Sequence, residues 1–511
     1  MQLQRQVGIL IPLFSIPSKY GIGDFGSGAY ECLDFIEKAG LKVMQILPIG
    51  PTGNACPYQC FSSFAGNPLF INPEELVEMG LVSADDLEPL KSHGLTIEYE
   101  MVTKAKYEFF WRAFKNLTPT IKNEVDRFVK DNEEWIVDYS LFMALKKNLN
   151  SLPIYMMDRA IRKRNPATMK LYSRLYAEDI NFFEFLQYIF FLQYSKFKSC
   201  ANNMGIRIFG DVPMYPSADS SDVWAHREIF DLKEDLNEDL TLRVQAGVPG
   251  DYFNPKGQCW GNPVYKWDAV RKDGYQYWIR RFRMPRLFWA PEMKFWADIY
   301  RIDHARAISE FFTIPAESST AEKGEWKDGP GEEFFNVIKG ALGSDVVLVA
   351  EDLGKDIQKV QQLLAKVGIP GMSVFQFGMT YSRDNTNCPD NWEEQLVGYT
   401  GTHDNPTIIS AIKTSDSKEK ILRELGIYPN VGSFDAGTEA IAAAAIKKVM
   451  DSSANLVIIP WGDFFAKEDA EARINVPGVA DNNWNKMFMK EELSNERAAY
   501  ISWQVITSNR G

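Results

Sequence analysis

Four carboxylate-bearing segments stand where apolar, β-forming runs of this sequence end. They are Gly210-Asp211-Val212-Pro213, Arg301-Ile302-Asp303-His304, Ala350-Glu351-Asp352-Leu353-Gly354 and Gly401-Thr402-His403-Asp404-Asn405. In a barrel of parallel strands the carboxyl ends of all strands open on one face, so acids that are distant in sequence meet there. Convergent carboxylates with few histidines are typical of glycoside chemistry, in which a retaining reaction uses one carboxylate as nucleophile and one carboxylic acid as proton donor.

Asp303 and Glu351 have the surroundings that these two roles need. Arg301 precedes Asp303 by two positions, so both side chains point to the same face of a strand and the guanidinium can hold the carboxylate ionised. Glu351 ends the apolar run 346–350, where loss of solvent is expected to raise its pKa. Asp303 is therefore a candidate nucleophile, and Glu351 is a candidate general acid.

Asp404 is the third candidate acid. It follows His403 in a turn closed by Pro406, where it can hydrogen-bond sugar hydroxyls more strongly as the ring distorts. Only four histidines occur in the chain, and two of them, His304 and His403, adjoin a candidate aspartate. The alternative is that these two histidines cap turns or fill the core.

The composition is that of an ordinary globular protein, and it limits the partners. Of 511 residues, 45% are hydrophobic and 24% are charged. The net charge of -12 argues against a nucleic-acid or anionic-membrane partner, because both require a basic face. A neutral ligand is compatible with this charge.

Neither a metal nor a cofactor is indicated. The six cysteines form no CxxC pair or cysteine-histidine cluster, and the acids lack the spacing of a calcium loop. The segment 21–26 matches the dinucleotide fingerprint GxGxxG, but the stretch 14–20 before it is too long for the required tight turn, and no acid follows at the ribose-binding spacing. No run is long enough to span a membrane and 7–13 resembles a strand more than a signal peptide, so a cytoplasmic location is expected.

Compact apolar runs bounded by turn residues predict eight buried parallel strands. They are Val7–Leu13, Val43–Pro48, Ile206–Val212, Ile299–Asp303, Val346–Glu351, Met372–Phe377, Leu396–Thr400 and Leu456–Pro460. Helix-like segments between them, such as 28–39, 332–342 and 357–367, give the alternation of an α/β fold, a (β/α)8 TIM barrel. Residues 1–511 are expected to form a single catalytic domain without a separate C-terminal β-domain.

Two insertions are expected on the C-terminal face of the barrel. Residues from about 72 to 200 have helical spacing and predict a helical subdomain. A smaller insertion, from about 231 to 268, follows the third strand. Aromatic residues in polar loops outside periodic apolar stripes are candidates for stacking on sugars and excluding water. They are Trp224, Tyr252, Phe253 and Trp260.

The acid-bearing motifs around Asp303, Glu351 and Asp404 resemble the three catalytic motifs of the amylomaltases, the 4-α-glucanotransferases of the α-amylase clan. The resemblance spans nearly the whole chain. It includes Gly50-Pro51-Thr52-Gly53, Pro57-Tyr58-Gln59, Ser63-Phe64-Ala65-Gly66-Asn67-Pro68, Asp219-Ser220-Ser221-Asp222-Val223-Trp224, Gly257-Gln258-Cys259-Trp260-Gly261-Asn262-Pro263 and Ala472-Arg473-Ile474-Asn475-Val476-Pro477-Gly478.

The resemblance implies a role for each of these residues. Asp303 would be the nucleophile, Glu351 the acid/base and Asp404 the transition-state stabiliser. The substrate-binding surroundings would be formed by Tyr58, Asp211, Trp224, Tyr252, Phe253, Trp260, Arg301, His304, His403, Arg473 and Asn475. Tyr252 and Phe253 would belong to a mobile loop over the acceptor side.

The expected activity is transfer of α-1,4-glucan segments to the 4-hydroxyl of an acceptor glucan or glucose through a covalent glycosyl-enzyme. The implied substrates are maltooligosaccharides, glycogen or starch, together with glucose. One alternative is a retaining α-glucan hydrolase of the amylase type. Another is a glucan-binding protein that has lost turnover, against which the intact Asp303, Glu351 and Asp404 count.

Overall fold

The strands follow the apolar runs of the chain. The structure is a computed structural model that describes residues 2–92, 94–235, 239–250, 255–379, 384–428, 437–479 and 481–511. The strands of this part of the chain are β1 (Gln6–Leu10), β2 (Val43–Gln45), β3 (Arg207–Val212), β4 (Val244–Val248), β5 (Gln258–Pro263), β6 (Ile299–Ile302), β7 (Glu310–Pro315), β8 (Glu325–Asp328), β9 (Val347–Ala350), β10 (Gly371–Val374), β11 (Leu396–Tyr399) and β12 (Leu456–Pro460).

Eight of these strands form one parallel sheet in the order β10-β11-β12-β1-β2-β3-β6-β9. The backbone N–H of Ala350 donates to the carbonyl of Pro370 at 2.9 Å, which joins the end of β9 to the segment before β10 and closes the sheet into a barrel. The predicted (β/α)8 barrel is confirmed, with each of the eight expected runs contributing a strand.

The register of neighbouring strands brings the acid-bearing ends together. On one side of β6, Arg301 pairs with Asp211 of β3, and on the other side Ile302 pairs with Ala350 of β9. Because Asp303 and Glu351 each directly follow a member of this last pair, they leave the barrel side by side at its carboxyl end.

Helices surround the barrel and fill the insertions. They are α1 (Ser27–Lys38), α2 (Pro73–Glu78), α3 (Tyr99–Lys115), α4 (Pro119–Asp131), α5 (Glu133–Asn148), α6 (Arg159–Arg162), α7 (Pro166–Leu175), α8 (Ala177–Asn203), α9 (Ser221–Ala225), α10 (Trp267–Lys272), α11 (Gln276–Phe282), α12 (Arg306–Ser309), α13 (Glu332–Leu342), α14 (Gln358–Val367), α15 (Phe375–Gly378), α16 (Ile408–Thr414), α17 (Lys418–Glu424), α18 (Thr438–Met450), α19 (Trp461–Phe464), α20 (Asp469–Ala472) and α21 (Asn495–Thr507).

Helix α14 shows how such a sequence packs on the barrel. Val360, Leu364 and Val367 recur at helical spacing and are buried together on one face. The helix ends at Gly368, whose φ of +66° lies in the left-handed region that glycine adopts without strain.

The segment between β2 and β3 contains helices α2 to α8. The last turns of α8 pack on the barrel, where Phe197 contacts Phe25 and Tyr30. Buried apolar side chains of these helices and of the barrel belong to one continuous core. Among the described helices, none combines the length and the apolar character needed to cross a bilayer.

A second sheet, which the sequence analysis did not predict, stands beside the barrel. It is antiparallel, with the order β5-β4-β7-β8. The segment 231–268 contributes β4 and β5, and β7 and β8 lie between β6 and β9 in sequence. All four residues of β8 are exposed, so buried and exposed positions do not alternate along this strand. Beyond β12 the described residues form helices and turns without a further strand.

Candidate active site

Arg301 holds two carboxylates at the carboxyl end of β6. Its Nη1 lies 2.9 and 2.8 Å from the two carboxylate oxygens of Asp211 and 2.8 Å from Oδ1 of Asp303. Burial opposes the charge of the guanidinium, but the carboxylates of Asp211 and Asp303 raise the pKa of Arg301 well above its usual range. Arg301 and Asp211 are buried, whereas the side chain of Asp303 is 26% exposed.

Glu351 is held by backbone donors on both carboxyl oxygens. Oε2 accepts from the N–H of His304 at 2.9 Å, and Oε1 accepts from the N–H of Leu353 at 2.8 Å. Burial raises the pKa of Glu351 from 4.5 to about 7. The group can therefore carry a proton near neutral pH, as a general acid must.

The backbone turns at His304, which directly follows Asp303 and donates its N–H to Glu351. Its φ of 45° lies in the left-handed region, which a residue with a side chain adopts at a cost. Burial lowers the pKa of its imidazole to about 4, so the ring is neutral in ordinary conditions. The ring meets Trp260 edge to face at 4.8 Å, and the indole N–H of Trp260 donates to Gln258 at 3.0 Å.

Asp404 lies after β11, and its side chain is 45% exposed. Its Oδ1 accepts from Nδ2 of Asn475 at 2.6 Å and lies 3.5 Å from Nε2 of His403. Nη2 of Arg473 donates to the backbone carbonyl of Asp404 at 3.0 Å. The side chain is thus oriented from two directions while one face stays open to a ligand.

Tyr58 joins Asp211, the one acid of β3, to the loop after β11. Its hydroxyl donates to Oδ2 of Asp211 at 2.7 Å and lies 3.0 Å from Nε2 of His403, and the two rings stack at 5.3 Å. Burial raises the pKa of the Tyr58 phenol well above its usual range, so it remains a donor. Tyr58 and Asp211 also line a cavity of about 1100 Å³ beside the barrel.

Comparison with known proteins decides the family. The model of glycoside hydrolase family 77, described as 4-alpha-glucanotransferase, matches residues 11–491. The chain belongs to this family. Its activity is that of a 4-alpha-glucanotransferase, and the activity expected from the motifs is confirmed.

Full-length relatives agree with the family match. A 4-alpha-glucanotransferase of Synechocystis sp. is 35% identical over 509 residues, covering 98% of this chain and 97% of the relative. One from Clostridium butyricum is 37% identical over 491 residues, covering 95% and 97%. The amylomaltase of Streptococcus agalactiae, solved in complex with acarbose, has a TM-score of 0.91 at 31% identity, covering 99% of this chain and 100% of that one.

Trp224 departs from the expectation that it contacts substrate. Its side chain is fully buried, its indole N–H donates to the carbonyl of Ile161 at 2.9 Å, and the guanidinium of Arg164 covers its ring at 4.4 Å. Arg164 therefore covers one face of the ring, and the buried side chain has no exposed surface on which a sugar could stack. Two other aromatic candidates, Tyr252 and Phe253, lie outside the described residues.

Trp484 also lies in this neighbourhood, although it was not among the residues predicted from the sequence. Its ring lies 5.9 Å from that of Tyr58 and 5.8 Å from that of His403. It stands in the polar stretch Asp481-Asn482-Asn483-Trp484-Asn485, so the criterion that selected Trp260 would also have selected it.

Metal-ligand groupings and cysteines complete the description of the site. Within the described ranges no group of three or more histidines, cysteines, aspartates or glutamates is arranged to hold a metal ion. The six cysteines are free thiols.

Proposed function

We propose that this chain transfers α-1,4-glucan segments by a retaining double displacement in which Asp303 is the nucleophile, Glu351 the acid/base and Asp404 the transition-state stabiliser. The observation that carries the proposal is the pairing at the ends of β6 and β9. A carboxylate in contact with Arg301 stands next to a carboxyl group whose pKa is raised to about 7. A retaining reaction requires one acid of each kind.

In the first step, the Asp303 carboxylate forms a bond to the anomeric carbon while the glycosidic C–O bond breaks. The proton of Glu351 passes to the departing oxygen, so the leaving glucan is released as an alcohol. The 2.8 Å contact with Arg301 supports this role of Asp303, because it fixes the carboxylate in one orientation.

In the second step, the ionised Glu351 takes the proton from the 4-hydroxyl of an acceptor, and that oxygen displaces Asp303 from the anomeric carbon. Asp404 accepts hydrogen bonds from sugar hydroxyls that strengthen as the ring flattens. Its open face and the hydrogen bond from Asn475 support this role.

The surrounding residues act through these three acids. Asp303 is oriented by Arg301, which contacts Asp211, and Asp211 in turn accepts from Tyr58. The loop that carries Asp404 is oriented by His403, Arg473 and Asn475. Trp260, half-buried against His304, supplies a ring for stacking on a sugar.

We propose α-1,4-glucans such as maltooligosaccharides, glycogen or starch as donors and glucose or a glucan as acceptor. The family match supports glucan substrates, and the acarbose complex of the Streptococcus agalactiae amylomaltase supports acarbose as a ligand of this chain also.

Incubation with maltotriose tests the proposal. A transferase converts it to a ladder of shorter and longer glucans without a net increase in reducing ends. A hydrolase of the amylase type gives glucose and maltose only, with a rise in reducing ends. The starch-iodine colour provides a second measure, because added glucose accelerates its loss only when glucose is an acceptor.

A further inference from the structure

Asp463 joins the two ends of the loop that carries His403 and Asp404. Its Oδ2 accepts from the hydroxyl of Thr400 at 2.5 Å, and its Oδ1 accepts from the N–H of Ile408 at 2.7 Å. Thr400 directly follows β11, and Ile408 begins α16. One side chain, which follows β12 on α19, therefore sets the separation of both ends of this loop.

Later residues of the same segment hold the middle and the end of the loop. Oδ1 of Asp469 accepts from the N–H of Thr407 at 2.7 Å, and its Oδ2 pairs with Nη1 of Arg473 at 3.1 Å. Arg473 in turn donates to the carbonyl of Asp404 at 3.0 Å. The loop is thus fastened by the segment 463–475 at its start, middle and end.

The burial of Asp463 separates it from the substrate. The side chain is 1% exposed, so it does not contact a bound sugar. Its hydrogen-bond partners are neutral, and burial raises the pKa of its carboxyl group to about 7. An apolar side chain would avoid this desolvation cost, but it would leave the Thr400 hydroxyl and the Ile408 N–H without their acceptor.

We propose that Asp463 is a positioning residue of the transfer reaction, which holds Asp404 in the orientation needed at the transition state. This inference rests on the proposed role of Asp404 as stabiliser. Displacement of a catalytic group by about 1 Å costs roughly 10²-fold in rate, so a loosened loop has a measurable effect even when the fold persists.

The test compares Asp463→Ala with Asp463→Asn in maltotriose disproportionation. We expect Asp463→Ala to lower kcat by about 30- to 100-fold with KM changed less than about threefold, because an interaction realised in the transition state affects kcat and kcat/KM alike. Asp463→Asn should keep at least about a third of kcat, because its amide oxygen still accepts from the Ile408 N–H and its amide N–H can donate to Oγ1 of Thr400.

Asp298→Ala is the matched control for loss of stability. Asp298 also accepts a backbone N–H, that of Ile208 at 2.8 Å, but it lies at the amino end of β6, the opposite end from Asp303. Measured at 25 °C, where all variants are folded by circular dichroism, Asp298→Ala should lower the melting temperature and keep kcat within about threefold of wild type, as expected for a site remote from the chemistry.

The inference is wrong if Asp463→Ala keeps wild-type kcat, if Asp463→Asn is as slow as Asp463→Ala, or if Asp298→Ala lowers kcat equally. Asp404→Asn identifies which proposal has failed. If Asp404→Asn retains kcat, the stabiliser role itself is wrong. If Asp404→Asn is slow and Asp463→Ala is normal, only the positioning role of Asp463 is excluded.

Discussion

The backbone N–H of His304 donates to Oε2 of Glu351 at 2.9 Å. His304 directly follows Asp303, so the main chain that carries the proposed nucleophile also holds the proposed acid. The left-handed backbone at His304 is the turn that directs this N–H across from β6 to β9. The two carboxyl groups are therefore positioned as one unit, and a shift of either strand end changes both.

Asp303→Asn should abolish formation of the glycosyl-enzyme and lower maltotriose disproportionation by at least about 10³-fold, because an amide is a poor nucleophile. The amide oxygen can still accept from Arg301, so the melting temperature should stay close to that of wild type. Chain-length analysis and intact-protein mass spectrometry with a fluoroglycoside measure the two effects. Near-normal disproportionation would contradict the role of Asp303.

Glu351→Gln should stop turnover of maltotriose, whose leaving group needs a proton, and spare most of the first step with an α-glucosyl fluoride. The amide nitrogen would face one of the two backbone donors, from His304 or Leu353, so some loss of thermal stability is expected as well. Fluoride release in the first turnover gives the measurement. Equal loss on both substrates would make Glu351 structural.

The value of kcat/KM for maltotriose should fall as the pH rises through about 7, the raised pKa of Glu351. The sign follows from the role, because a general acid must be protonated in the free enzyme and this group loses its proton above that pH. His304, with a pKa of about 4, does not titrate in this range. The kcat/KM of Asp463→Asn should show the same fall at alkaline pH. A wild-type kcat/KM that stays constant between about pH 6 and 8 would exclude Glu351 as the acid.

Glu184→Gln should stabilise the protein at alkaline pH. Glu184 lies on α8, and burial raises the pKa of its carboxyl group from 4.5 to about 7. Between these values the folded state binds more protons than the unfolded state, so wild-type stability falls as the pH rises, by up to about 3 kcal/mol.

Urea unfolding of Glu184→Gln at pH values below and above this range measures the effect. The variant should be close to wild type near pH 4 and more stable near pH 8. Glu178→Gln on the same helix, whose side chain is 59% exposed, should change the free energy of unfolding by less than about 0.5 kcal/mol at both pH values. If both variants gain the same free energy of unfolding at pH 8, the effect of Glu184→Gln is not caused by the burial of Glu184.

The barrel and the neighbouring positions of Asp303 and Glu351 could be predicted from the sequence, because both depend on local patterns. An apolar run predicts a buried parallel strand, and the residue after it must lie at the strand's carboxyl end. The raised pKa of Glu351 followed from the same reasoning.

Contacts between distant segments could not be predicted in this way. Trp224 stands in a polar loop like Trp260, but Ile161 and Arg164, far away in sequence, cover it. Strand β8 exists because it pairs with β7, and its own residues are all exposed. Asp463 was one acid among 68 Asp and Glu residues, and only its hydrogen bonds to Thr400 and Ile408 distinguish it.

The four-stranded sheet constrains recombination between this chain and its relatives. Strands β4 and β5 precede β6 in sequence and β7 and β8 follow it, but β4 pairs with β7. A crossover placed anywhere between 263 and 310 would combine half of this sheet from each parent, around β6, which directly precedes Asp303. Chimeras that exchange 244–328 as one block keep all three strand pairings and the contact between Trp260 and His304. Libraries built on such blocks should yield active transferases far more often than libraries with breakpoints inside this interval.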